Sequence, residues 1–150
     1  MTAISLTEIQ PGLVVHLDTG ILRSLGGSET NAELSPGNDR AVVEPHYFLV
    51  LAVDAPLQTA IAVPLFSKAT NGSERLDPAK KRGTFQFWSG AVSYFSKWQH
   101  WRIPLSALVA ASGPEATQIS DRCTYALGDS TTLDAIASWA QRNRTVYRGL

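Results

Sequence analysis

The sequence predicts a mainly β protein of the α+β class, a small barrel or packed sheet forming one domain over residues 1–150. Two dense apolar runs lead to that class. Tyr47-Phe48-Leu49-Val50-Leu51-Ala52-Val53 and Ala60-Ile61-Ala62-Val63-Pro64-Leu65-Phe66 are short, rich in β-branched and aromatic residues, and flanked by Pro and Asp, which is the pattern of buried strands. Asp54 to Thr59 supplies the turn of a hairpin between them. A continuous apolar run cannot alternate between core and water, so both faces of the first strand must be covered. Helix signals are confined to two stretches, near 104–111 and 131–143.

The remaining elements follow in chain order. Leu13 to Leu17, after Pro11-Gly12, makes the first strand, and His16 within it reads as a face residue satisfied by a neighbour or by water. From Thr19 to Arg40 the density of Gly, Ser, Pro and Asn predicts a long loop, of the kind that forms a lid or stays disordered. Ala41-Val42-Val43 begins the next strand, interrupted at Pro45, which has no N–H for a ladder. Asn71-Gly72 signals a turn. Asp77 to Gly83 is a basic loop carrying Lys80-Lys81-Arg82, either simply solvated or available to a polyanion. Thr84 to Trp88 alternates as a strand does. Ala91 to Ile103 interleaves aromatics with Lys97, His100 and Arg102, a composition that suits stacking on single-stranded bases and equally suits a core or a dimer interface. Pro104 opens a helix over Leu105 to Ala111 that stops at Ser112-Gly113-Pro114. Arg122 to Leu127 forms one more strand, ended by Gly128. The last helix takes Thr131 as its N-cap, with Asp134 three residues on, and lines Leu133, Ile136, Ala137 and Ala140 along one face.

Composition narrows the functions. With 13 basic and 13 acidic side chains the net charge is zero, so no overall field draws the chain to nucleic acid, and an RNA site must be a local patch. The single cysteine, Cys123, cannot form an internal disulfide, and no cysteine–histidine cluster suggests a metal. No glycine-rich phosphate loop, acid pair or serine–histidine–acid spacing supports another enzyme class, and no cofactor is expected. The first residues lack the features of a signal peptide and no run reaches the length of a membrane span, so a soluble, cytoplasmic protein without a membrane partner is expected.

Three stretches together resemble the PemK/MazF family of toxin endoribonucleases: Pro11-Gly12-Leu13-Val14-Val15-His16-Leu17-Asp18, then Phe48-Leu49-Val50-Leu51, then Ala62-Val63-Pro64-Leu65-Phe66-Ser67. Their order and spacing are similar to the family's early strand, its Arg-Pro-x-Leu-Val-Val strand and its strand ending Val-x-Pro-Leu-Thr-Ser. The resemblance covers roughly residues 9 to 109. It implies a small SH3-like β-barrel with a long loop after the first strand and a closing C-terminal helix, a homodimer, an antitoxin-like protein partner and single-stranded RNA as substrate. It also implies that the loop lies over the RNA groove, making Arg23 and Arg40 candidate phosphate contacts.

Cleaving RNA without a metal needs a base for the 2′-hydroxyl proton, an acid for the leaving oxygen and donors for the charge on phosphorus. In an antiparallel hairpin Glu44-Pro45-His46, leading into the first strand, comes beside Ser67-Lys68, leaving the second. The family's strand-opening arginine corresponds to His46, and its threonine to Phe66, with Ser67 next to it. Histidine, with an unperturbed pKa of about 6.5, can move a proton where arginine only binds charge. His46 and Ser67 are therefore the candidate catalytic residues, and Lys68, Arg23, Arg40 and Glu44 the candidate substrate contacts. Three readings stay open: an altered, metal-independent endoribonuclease, an inactive relative holding RNA or a protein partner in the same groove, and a structural domain whose His46 and Ser67 are ordinary strand ends.

Overall fold

The computed structural model describes residues 4–32, 41–70, 72–83, 85–96, 98–112, 122–142 and 148–150. Its centre is the expected hairpin. β3 (His46–Asp54) and β4 (Thr59–Phe66) pair antiparallel from Asp54↔Thr59 to Phe48↔Pro64 around a turn at residues 55–58. β1 (Leu13–Leu17) lies on the other side of β3, with His16 opposite Tyr47 and Leu17 opposite His46. β2 (Glu29–Thr30), β8 (Trp101–Pro104) and β10 (Arg148–Gly149) extend the sheet beyond β4, while β9 (Cys123–Tyr125) and β6 (Lys81–Arg82) extend it beyond β1. β7 (Tyr94–Ser96) pairs the far end of β4 and carries β5 (Ser73–Arg75) on its outer side.

The sheet is open: its strand path runs from β10 to β6 without closing among the described residues. The expected closed barrel is therefore corrected, and the coverage of the β3 run has another cause. Phe48 and Val50 point into one core with Leu13, Val15, Leu17, Trp101 and Ile103, covered by α1 (Thr19–Leu25) and α3 (Leu105–Ser112). Leu49 and Leu51 point into a second core with Val14, Val63, Leu65, Trp88 and Phe95, to which α4 (Ser130–Arg142) contributes Leu133 and Ile136. Helices and loops on both faces do what barrel closure would have done. A bulge between Val50 and Ala52 shifts the register, which returns Val53 to the first core and turns Ala52 to solvent.

Several expectations change in detail. The long loop after β1 begins instead with α1, whose start is capped by Asp18 accepting from Gly20 N at 2.9 Å and Ile21 N at 3.3 Å. Leu22 is then fully buried, and Gly26, at φ 74°, ends the helix. The expected strand over Thr84 to Trp88 is overturned by α2 (Gln86–Ser89), because Phe85 O accepts from both Trp88 N and Ser89 N and so winds the segment into a turn around buried Trp88. Ala41 to Val43 is not a strand. The N-cap of α4 is Asp129 rather than Thr131: its carboxylate accepts from Thr132 N at 3.1 Å and Thr132 Oγ1 at 2.7 Å. Those bonds, with Lys80 nearby, hold that carboxyl below the usual range. Gly12, at φ 101°, lets β1 meet β9, since a Cβ there would stand 3.0 Å from Tyr125 O and from Leu127 Cα.

The basic loop is also corrected. Residues Pro78–Lys80 form a 3-10 turn capped by Asp77, and Lys81–Arg82 form strand β6. The three cations are engaged with the fold. Lys80 Nζ donates to Thr132 Oγ1 at 2.6 Å, and the Arg82 guanidinium donates to Ala79 O and Lys81 O. Lys81 Nζ donates to Trp88 O, Ala91 O and Ser93 Oγ and sits 4.1 Å from the Trp88 ring centroid. Burial, helped by Arg75, pushes the Lys81 ammonium below the usual lysine range.

A candidate nucleic-acid cleft at the hairpin ends

The segment leading into β3 is pinned by side chains rather than by a ladder. Gln99 Oε1 accepts from Val42 N at 3.0 Å, an Arg23 nitrogen donates to Val42 O at 2.6 Å, and Thr19 Oγ1 donates to Val43 O at 2.8 Å. Arg23 is thus engaged with the backbone that presents His46. It is not among the residues lining the cleft, and Arg40 lies outside the described residues.

His46, Ser67 and Lys68 come together in a cleft of about 450 Å³ at the ends of β3 and β4. Register explains why: with Phe48 opposite Pro64, His46 falls opposite Phe66, and the residues that follow β4 lie beside Pro45. The His46 and Phe66 rings meet edge to face at 5.4 Å. Glu44 contributes its backbone, not its exposed carboxylate, because its carbonyl oxygen lies 2.8 Å from His46 Nδ1. A carbonyl can only accept, so Nδ1 carries the proton, and in the neutral ring Nε2 keeps its lone pair. The imidazole is thereby set as a proton acceptor at Nε2. Ser67 is exposed, and its hydroxyl makes no hydrogen bond among the described residues.

The cleft also holds residues outside the expected site. His16 lines it, half-buried and edge to face with Tyr47 at 4.7 Å. Thr70, Ser93, Ser96 and Gln99 add polar groups, and Phe87 and Val92 form an apolar lip. Among the described lining residues Lys68 is the one with a permanent charge, and none is a carboxylate. Phe87 had no signal in the sequence: its exposure depends on α2 winding where a strand was expected.

The aromatic stretch from Ala91 to Ile103 divides between core and cleft wall. Trp101 is fully buried against Phe48 at 5.4 Å and donates from Nε1 to Gln99 Oε1. His100 is fully buried too, and burial with Arg102 nearby pushes its pKa down to about 4. Lys97 lies outside the described residues.

Among the described residues no group of three or more His, Cys, Asp and Glu could hold a metal ion, and no helix is long and apolar enough to cross a membrane. Comparison with known proteins finds no family model, no curated protein and no solved structure that matches this chain.

Proposed function

We propose that the cleft binds single-stranded RNA and cleaves it without a metal, in a divergent relative of the PemK/MazF toxins. The observation that carries this reading is the 2.8 Å contact of His46 Nδ1 with the Glu44 carbonyl oxygen, in a cleft that also holds Ser67 and Lys68 and has no carboxylate among its described lining residues. His46 Nε2 takes the proton from a 2′-hydroxyl, and the O2′–P bond forms as the P–O5′ bond breaks. O5′ is protonated as it departs, leaving a 2′,3′-cyclic phosphate and a 5′-hydroxyl, and His16, the other imidazole lining the cleft, is the candidate donor. Ser67 donates to a non-bridging oxygen, and Lys68 balances the charge that grows on phosphorus.

The SH3-like ancestry, the homodimer, the antitoxin-like partner and a cytoplasmic location belong to the same proposal and rest on the three strand motifs. Incubating the purified protein with a long single-stranded RNA in EDTA, beside His46→Ala and Ser67→Ala, tests it. Discrete cuts ending in cyclic phosphate, lost in the His46 variant, are expected. Intact RNA in every lane refutes the nuclease and leaves a binding protein built on the same cleft.

A further inference from the structure

Resting on the reading of the cleft as a nucleic-acid site, we propose that Phe87 is a base-stacking platform, which takes one unstacked nucleobase of a single strand while the adjoining phosphate lies toward Lys68. Phe87 is 66% exposed and Val92, on the same lip, is 42% exposed. Isolated exposed apolar residues are ordinary, and Leu57 in the hairpin turn is one. Phe87 differs in its mounting. The next residue, Trp88, is buried and donates from Nε1 to Arg82 O at 2.8 Å. The carbonyls of Trp88 and Ala91, which lie between Phe87 and Val92 in the chain, both accept from Lys81 Nζ. The ring itself is braced by Phe85 at 5.4 Å with planes at 75°, and Phe85 leans on Tyr47 at 6.4 Å.

An aromatic ring held this way loses little freedom when a second flat ring lies on it, and every base has a face to offer. The charge of the cleft selects the occupant. Lys68 and the hydroxyls of Ser67 and Thr70 can all donate to phosphate oxygens, and no described lining carboxylate repels them. Bases inside a duplex are already stacked on one another, so the subsite takes a single strand.

The test is equilibrium binding of a labelled 2′-deoxythymidine hexamer, which lacks the hydroxyl needed for cleavage, beside an abasic hexamer of the same length. Phe87→Ala is expected to weaken binding of the thymidine hexamer by about 5- to 150-fold, the range for one stacked base, with an unchanged melting temperature. Phe87→Trp retains it, and the abasic hexamer binds weakly and equally to wild type and Phe87→Ala. Equal affinity of wild type and Phe87→Ala for the thymidine hexamer overturns the subsite. A wild-type protein that takes up neither hexamer also overturns it. Because the probe cannot be cut, the nuclease reading fails separately: intact RNA together with Phe87-dependent hexamer binding rejects catalysis and keeps the subsite.

Discussion

His46 and His100 stand in two regions of the same sheet, one at the open end of the central hairpin and one in the turn before β8, and the fold treats them in opposite ways. His46 is half-buried, with Nδ1 held by the Glu44 carbonyl and its ring in a cleft. His100 is fully buried and its backbone is locked on both sides. Its N–H donates to Asn31 Oδ1 at 2.7 Å, and its carbonyl accepts from Thr30 Oγ1 at 2.9 Å and from Asn31 N at 3.3 Å. Desolvation keeps His100 neutral, whereas the His46 region has open space beside an anchored imidazole. Residue type alone carries neither outcome; the partners and the solvent do. The cations divide the same way. Lys80, Lys81 and Arg82 bond groups of the fold, whereas Lys68 is exposed at the cleft.

Breaking that contrast at His46 should have the largest effect. His46→Ala is expected to lower the RNA cleavage rate by about 10²- to 10⁴-fold, the worth of a positioned general base. Its melting temperature should stay within a few degrees of wild type, and a rate within threefold would return His46 to an ordinary strand end.

At His100 the effect is on stability, with a definite sign. Its folded pKa of about 4 lies below the value of about 6.5 in an unfolded chain, so the unfolded state binds more protons between those values. The stability tied to neutral His100 is complete above pH 6.5 and is lost as pH falls toward 4, up to about 3 kcal/mol. Urea melts at pH 7.0 and pH 4.5 would show it as a shifted midpoint, and His100→Gln should flatten the difference. A variant with the same pH slope as wild type would remove His100 as the cause.

Asn31→Ala sharpens the comparison from the backbone side. It strands the buried N–H of His100 and should cost about 1–3 kcal/mol in denaturant melts, the usual penalty for a buried donor left unpaired. Lys68→Ala should do least: no measurable loss of stability, and a salt dependence of single-strand binding reduced by about 0.7 in log–log slope if one phosphate contact is lost. An unchanged slope would place the phosphate elsewhere.

The hairpin was legible because it depends on local composition. Tyr47 to Val53 and Ala60 to Phe66 have strand-forming residues throughout and a polar link between them, and the structure pairs them over the stated turn. The helix from Leu105 was legible for the same reason, and of the strand expected over Arg122 to Leu127 the structure forms Cys123–Tyr125. The convergence of His46, Ser67 and Lys68 followed from antiparallel pairing alone. Asp18 and Gly26 bracket α1 as a capping residue and a stop, but the glycines and serines after them outweighed that signal. Thr84 to Trp88 alternates as a strand does, yet burying Trp88 with its indole on Arg82 O required a helical turn.

The sequence by itself determined a mainly β chain built on one buried hairpin, with three polar residues at its ends, because strand propensity and antiparallel register act over neighbouring residues. Tertiary structure alone decided that the sheet stays open with helices over both faces, that His16 joins the cleft while His100 is sealed away, and that Lys80, Lys81 and Arg82 bond groups of the fold. Those outcomes depend on which distant segments exclude water from a given side chain and offer it a partner, as Gln99 does for Val42 across 57 residues of chain, and no local pattern encodes that.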